Sequence, residues 1–193
     1  MKETARKTAL ILLCACPLPS HGQTGGVPGS LTLKFPHGAT YKGDTPIVVE
    51  IWIGFSPLVF AWRNYFGDVL TSDLMSDWTN VQSQYATLPG TSLGSVSNGG
   101  VLSIGVGQEH FPPIVFANTS NPIMVWSGEW STSDLTPRFV DVTTVTQKAT
   151  AHGGIHLYNL VFDDPTSQIQ VIPAPPALAF LALASGLASR GRR

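Results

Sequence analysis

The sequence predicts an all-β protein, a single β-sandwich carried between two terminal segments of a different character. Three observations predict it. Apolar and polar residues alternate at period two over short runs, the pattern of strands with one face buried. Gly, Pro, Asn and Asp recur between those runs as turn formers. Charged residues make up 12% of the 193 residues, about half of the roughly 25% usual in soluble domains. With both ends set aside, about 150 residues remain, an ordinary size for one domain with its own core.

The strands follow in order. Leu31, Leu33 and Phe35 alternate with polar neighbours. Over 47–55 the alternation is clearest: Ile47, Val49, Ile51, Ile53 and Phe55 share one face, with Val48, Glu50 and Trp52 on the other. Residues 60–70 form a second long strand with Phe60, Trp62, Phe66 and Leu70 expected on one side. The pattern weakens from 72 to 84, where residues 73–78 are the one short helix the sequence allows. Val96 and Val101 flank Asn98-Gly99-Gly100, a hairpin signal because Asn and Gly accept positive φ. Further strands fall at 123–130, 138–145, 155–162 and 169–172. Pro112-Pro113, Asn121-Pro122, Thr136-Pro137 and Asp164-Pro165 break the chain between strands. No internal repeat is visible.

The early strand 48–55, followed by a Phe/Trp-rich stretch closing in Asp68-Val69-Leu70, resembles secreted β-sandwiches of the jelly-roll or cohesin-like kind. The resemblance implies an architecture and transfers no binding residues.

Charge is distributed unevenly. Six of the eleven basic residues lie at the extremes, as Lys2, Arg6, Lys7, Arg190, Arg192 and Arg193. Between 23 and 172 only Lys34, Lys42, Arg63, Arg138 and Lys148 face eleven carboxylates, which leaves that stretch near −6. Such a field repels a phosphate backbone, so nucleic acid is excluded as a partner. Both cysteines, Cys14 and Cys16, lie in the N-terminal apolar run, and a product starting at Gln23 holds its core by burial without disulfides.

The two ends carry an address. Residues 1–22 have the three parts of a signal peptide: a basic start, an apolar run over 9–15, and small residues at Ser20 and Gly22 after Pro17 and Pro19, with cleavage by signal peptidase placed before Gln23. Leu13-Cys14-Ala15-Cys16 also reads as a degenerate lipobox with lipid on Cys16. At the other end a proline-rich hinge (171–176) precedes an apolar helix (177–189) and an arginine cluster (190–193). At 1.5 Å per residue this helix covers about 20 Å of a roughly 30 Å hydrocarbon layer. It therefore spans only with bilayer thinning or snorkelling, and Arg190, Arg192 and Arg193 act as a cytoplasmic stop. A buried core helix is the alternative, disfavoured because all faces are apolar and an arginine cluster follows.

This arrangement, Ile172-Pro173-Ala174-Pro175 followed by a short apolar helix and arginines, resembles a PEP-CTERM sorting signal, with Ala174 where the family motif carries glutamate. The resemblance covers residues 171–193. It implies export across the inner membrane, transient retention there by the tail, cleavage near the prolines by an exosortase-type protease, and delivery to the cell surface or extracellular matrix. The expected organisation is a signal peptide over 1–22, a β-sandwich ectodomain over 23–170 and a sorting segment over 171–193.

Candidate chemistry within the domain is sparse. Gly90-Thr91-Ser92-Leu93-Gly94 matches a nucleophile-elbow pattern, but no strand precedes Ser92 and the Ser/Gly-rich stretch after it is a poor helix, so a loop is the better account. His152 and His156 have helical ligand spacing but are separated by Gly153-Gly154; on one strand they would lie about 13 Å apart, too far to share an ion, so both are expected as loop or surface histidines. Asp68, Asp73, Asp77, Asp163 and Asp164 offer calcium-type oxygen ligands without matching a calcium loop. No metal, cofactor or catalytic set is nominated. Tryptophan is the suggestive feature, because flat indoles stack on sugar rings as well as they fill cores. Trp126 and Trp130 share a face with Met124 and are weighed toward the core. Trp52 lies opposite the Ile/Val stripe beside Glu50, where an aromatic and a carboxylate suit a saccharide. The leading expectation is a non-catalytic structural or adhesive surface protein. An exopolysaccharide-binding module using Trp52, Glu50, Trp126 and Trp130 is the alternative, and a secreted hydrolase with a carboxylate pair the third.

Overall fold

In the computed structural model, residues 23–108, 118–154 and 156–173 are described. They form eleven strands: β1 (Gln23–Lys34), β2 (Thr40–Tyr41), β3 (Ile47–Phe55), β4 (Ala61–Thr71), β5 (Ser76–Gln82), β6 (Ser95–Ser97), β7 (Gly100–Gly107), β8 (Ile123–Thr132), β9 (Arg138–Gly153), β10 (His156–Val161) and β11 (Thr166–Val171). Among the described residues there is no helix. The all-β expectation holds.

One layer runs β5-β8-β3-β1 and the other β1-β10-β9-β4-β7-β6, with β11 between β9 and β2. β1 belongs to both layers. Its residues 23–28 run parallel to β10, and its residues 29–34 run antiparallel to β3. Pro28 stands at this handover, where a residue with no N–H to offer a ladder interrupts least, and its carbonyl accepts a hydrogen bond from the Ser56 amide (3.2 Å). β9 is paired along one side with β4, while β11 and β10 share its other side. Asp164 serves the gap between those two partners. Its carboxylate accepts from the Thr146 amide (3.0 Å) and the Thr146 hydroxyl (2.6 Å), satisfying groups that no strand reaches.

The core lies between the layers, and β3 shows why. All five residues of its predicted stripe are buried, with Val49, Ile51 and Ile53 fully so. Trp62, Trp126 and Trp130 are also completely buried. Aromatic pairs join the elements: Tyr41 meets Trp130 edge-on (5.3 Å), Trp62 meets Tyr85 (5.0 Å) and Trp78 tilts against Trp126 (5.9 Å), at separations typical of favourable ring contacts. The predicted hairpin is present, with Ser97 opposite Gly100 and Gly99 at φ +77°.

Four expectations change. Residues 73–78 are not a helix. The Asp73 side chain accepts from the Met75 amide (2.9 Å) and its carbonyl from the Ser76 amide (3.2 Å), making a turn that launches β5; such Asp side-chain bonds compete with helix. The β4 stripe also has a different phase. Trp62, Tyr65 and Val69 point inward, whereas Phe60, Phe66 and Leu70 are exposed. The irregularity between Trp62 and Asn64, where Arg63 is the extra residue, breaks the alternation, as an extra residue in a strand must. The same effect separates Met124 from Trp126. Met124 pairs with Trp52 and Trp126 with Ile51 across a bulge, so the two stand on opposite faces. Finally, the domain reaches beyond residue 170. Val171 closes β11 and is buried, and the Ile172 amide donates to the Tyr41 carbonyl (2.9 Å).

The expected signal peptide over 1–22, the expected apolar helix over 177–189, Ala174 and Pro175 of the expected motif, and Arg190, Arg192 and Arg193 lie outside the described residues.

Candidate functional site

The tryptophans divide into two groups. Trp126 and Trp130 have no exposed surface, and the Trp126 indole donates to the Leu93 carbonyl (3.0 Å). Both belong to the core. As saccharide contacts they are corrected, since a ring sealed between two sheets offers no face for stacking.

Trp52 is half-buried at the margin of the β1–β3 layer, opposite Thr32 on β1. It lines a shallow groove of about 460 Å³ with Ser30, Thr32, Lys34 and Asn121. Its indole N–H donates to Glu50 Oε2 (2.7 Å), and Lys34 Nζ sits 3.8 Å from the ring centroid. Trp52 and Glu50 are therefore neighbours, as the alternation implied. The Lys34 ammonium, however, covers a ring face that a sugar would use. Asn121 is committed to the fold, accepting from the Phe55 amide (3.0 Å) and donating to the Phe55 carbonyl (2.6 Å). Trp52→Ala is expected to lower stability by no more than about 1 kcal/mol, the scale of a partly exposed cation–π pair; urea unfolding measures it.

The remaining candidates serve the fold. Ser92 lies in a loop bridged to Gly105, its hydroxyl accepts from the Gly94 amide (3.0 Å), and the next element is β6. His152 is fully buried on β9, opposite Leu157, whereas His156 is exposed at the start of β10. The expectation of two surface histidines is thus corrected for His152, which the hairpin turns into the core. Asp68 accepts from the Ser103 amide (2.7 Å), Asp77 from the Trp78 amide (2.8 Å), and Asp73 binds Arg138 (2.6 Å). Among the described residues no group of three His, Cys, Asp or Glu side chains is placed to hold a metal ion. Of the residues expected to form a sorting motif, Ile172 and Pro173 are the part held against the domain, with Pro173 buried.

A second concavity was not anticipated from sequence. The loop between β5 and β6 runs beside β7: Ser92 exchanges backbone bonds with Gly105 (2.6 and 2.9 Å), and the Gly107 amide donates to the Tyr85 carbonyl (3.0 Å). The 88–91 turn of this loop, closed by the Thr91 amide on the Leu88 carbonyl (3.1 Å), overhangs β7 and β4 and leaves a cleft of about 300 Å³. Arg63, Asn64 and Phe66 line it from β4, and Thr91 from the turn. Gly107 lines the cleft without a side chain, and Gly105 lies beneath the Phe66 ring. A Cβ at Gly105 would stand 3.1 Å from the Phe66 ring, and one at Gly107 would stand 3.2 Å from the Asn64 Cβ.

Arg63 is the extra residue between the Trp62 and Asn64 pairings, and bulges re-aim the side chain they carry. It forms no salt bridge among the described residues, and burial lowers its pKa. Below it, Gln108 is fully committed to the frame. Its side chain donates to the Trp62 carbonyl (2.8 Å) and the Asn118 carbonyl (2.9 Å) and accepts from the Asn118 amide (2.8 Å). The only sequence signal for this site is a scarce cation on a strand, near a Gly105-x-Gly107 alternation on the paired strand.

No protein-family model matches the chain, and no curated protein matches it in sequence. Among solved structures, the seventh ScaB type I cohesin from Pseudobacteroides cellulosolvens is similar, with a TM-score of 0.60 and 11% identity over 79% of this chain and 96% of that one. A cohesin module of a family 33 glycoside hydrolase from Clostridium perfringens aligns at a TM-score of 0.45 and 7% identity, covering 76% of this chain and 98% of that one. At 11% identity the first likeness speaks to backbone architecture alone: the domain is a cohesin-like β-sandwich.

Proposed function

We propose that the chain is an exported, non-catalytic structural or adhesive module of the cell surface or extracellular matrix, brought there by its two terminal segments. The observation that carries this reading is where the chemistry-bearing side chains go. Asp68, Asp73 and Asp164 bind backbone or partner groups of the fold, Ser92 caps its own loop, and His152 is buried. What the domain offers instead is surface. A sandwich of the type also found in a cohesin is consistent with that use, although fold alone assigns no ligand.

The sorting part of the reading is supported by where the sheet stops. β11 ends at Val171, and the motif continues directly from it with Ile172 and Pro173 packed on the domain. In sequence the proline-rich hinge (171–176) passes directly into the apolar run. Signal peptidase and an exosortase-type protease are the processing partners in this scheme, with the inner membrane as a transient station.

Intact mass and location of the protein recovered from cells test it. The expected product starts near Gln23, ends just beyond Pro173 and is found at the surface or in the matrix. A full-length cytosolic protein overturns export, and turnover of a polysaccharide or ester substrate overturns the non-catalytic reading. Binding of extracellular polysaccharide is the second reading, favoured by the half-exposed Trp52 ring in its groove. Loss of glycan binding in Trp52→Ala supports that groove, and unchanged binding removes it.

A further inference from the structure

We infer that the cleft between the 88–91 turn and the β4–β7 pair is a binding site for an acidic polysaccharide, with Arg63 pairing a ring carboxylate and Phe66 stacking on the sugar. The inference rests on the reading of the domain as an extracellular binding module and places the contact away from Trp52.

Electrostatics provides the first argument. The segment between 23 and 172 is near −6 and holds five cations, so it repels a polyanion at long range and holds an anionic group only by short-range contact, where cations stand without partners. Arg138 is taken by Asp73 and Asp134, and Lys34 lies over Trp52. Arg63 lines the cleft without a salt bridge among the described residues. Lys148, exposed on β9, is the residue paired with Phe66 across the β4–β9 ladder. Among the described residues, therefore, two cations without a salt bridge, Arg63 in the cleft and Lys148 across the ladder from Phe66, lie near one exposed ring. Among the described residues the half-buried guanidinium has no carboxylate partner, and its fork of donors matches a carboxylate that a ligand supplies.

Shape provides the second argument, and it selects a sugar over an acidic peptide. Phe66 is 36% exposed, and its ring packs directly over Gly105, where a Cβ would stand 3.1 Å away. The outward part of this flat ring is able to receive the C–H face of a pyranose. Asn64 and Thr91 stand at the rim; the Asn64 Oδ1 accepts from the Thr150 hydroxyl and the Thr91 hydroxyl donates to the Leu88 carbonyl (2.6 Å), which leaves the Asn64 amide N–H to donate to a ring hydroxyl and the Thr91 oxygen to accept from one. A uronate carries the three required features in one unit: a carboxylate, an apolar ring face and neighbouring hydroxyls.

The test uses the full chain and three polymers: polygalacturonate, with a carboxylate on every ring; dextran, with rings and no charge; and polyglutamate, with carboxylates and no sugar. Calorimetry is expected to show polygalacturonate binding that weakens with added salt, and no dextran binding. Arg63→Gln is expected to weaken it about tenfold or more, as loss of a charge-assisted pair does, and Phe66→Ala several-fold. Should Arg63→Gln not fold, Lys148→Gln and Phe66→Ala carry the test, and binding unchanged in both overturns the site. No binding to polygalacturonate also overturns it, as does polyglutamate binding of equal strength that is indifferent to Phe66→Ala. A surface-located protein that ignores polygalacturonate sinks the cleft and leaves the module reading standing. A protein that degrades the polymer sinks the module reading itself.

Discussion

Trp130→Ala is expected to lower the free energy of unfolding by about 3–5 kcal/mol, the range for truncating a large buried aromatic. Trp130 has no exposed surface, stands opposite Ile47 on β3 and Trp78 on β5, and meets Tyr41 of the other layer edge-on. Its loss opens a cavity touching both sheets, which cannot collapse without moving strands. The loss is a large part of the roughly 5–15 kcal/mol that holds a domain of this size together. Urea unfolding followed by tryptophan fluorescence measures it, and a loss below about 1 kcal/mol would mean that the ring is not enclosed as described. The contrast with Trp52→Ala, expected to be mild, separates core indoles from the surface one within a single experiment.

Arg138→Met is expected to cost about 3 kcal/mol, toward the lower end for breaking a buried ion pair because the guanidinium is itself about a quarter exposed. Arg138 donates to Asp73 Oδ2 (2.6 Å) and to the carbonyls of Asp134 (2.6 Å) and Thr136 (2.9 Å), tying the start of β9 to the turn before β5. Methionine keeps much of the packing but leaves the Asp73 carboxylate enclosed with its charge unmatched. Burial alone pushes the Asp73 carboxyl up. The Thr132, Met75 and Arg138 hydrogen bonds together with the Arg138 charge outweigh that effect and hold its pKa below the usual carboxylate value. A group with a depressed native pKa contributes stability that is fully present above its unfolded pKa of about 4 and is lost as pH falls through the native value. The wild type should therefore lose stability on acidification below about pH 4 more steeply than Asp73→Asn. Equal acid limbs in the two proteins would show that Asp73 gains nothing from this site.

How much was legible depended on whether a strand kept its register. β3 was readable because nothing interrupts it: from Ile47 to Phe55 each odd-numbered residue is buried. The Asn98-Gly99 hairpin was readable because its conformation is set by local backbone preference, with Gly99 at positive φ. β4 was readable as a strand but not in its facing, since the extra residue near Arg63 moves Trp62 and Phe66 to different sides. β5 was missed because the Asp73-to-Trp78 spacing imitates a helical turn, while the pairing with β8 that makes it a strand lies some fifty residues further along the chain. The Trp52–Glu50 contact followed from alternation, but the Lys34 ammonium above the ring comes from pairing with β1. The Arg63 cleft left almost no trace, because its wall, floor and cation come from a loop and two strands separated in sequence.

By itself the sequence determined the class of the domain, the clearest stripe of its core, its acidic character and the two terminal segments that suggest export. These depend on composition, on period-two alternation and on runs of adjacent residues, all local along the chain. Tertiary structure alone decided which tryptophans are enclosed, how β1 passes from one layer to the other, and where an uncommitted arginine meets an exposed ring. Those outcomes depend on the register between distant strands, and a single bulge reverses the facing of residues that local alternation would otherwise assign.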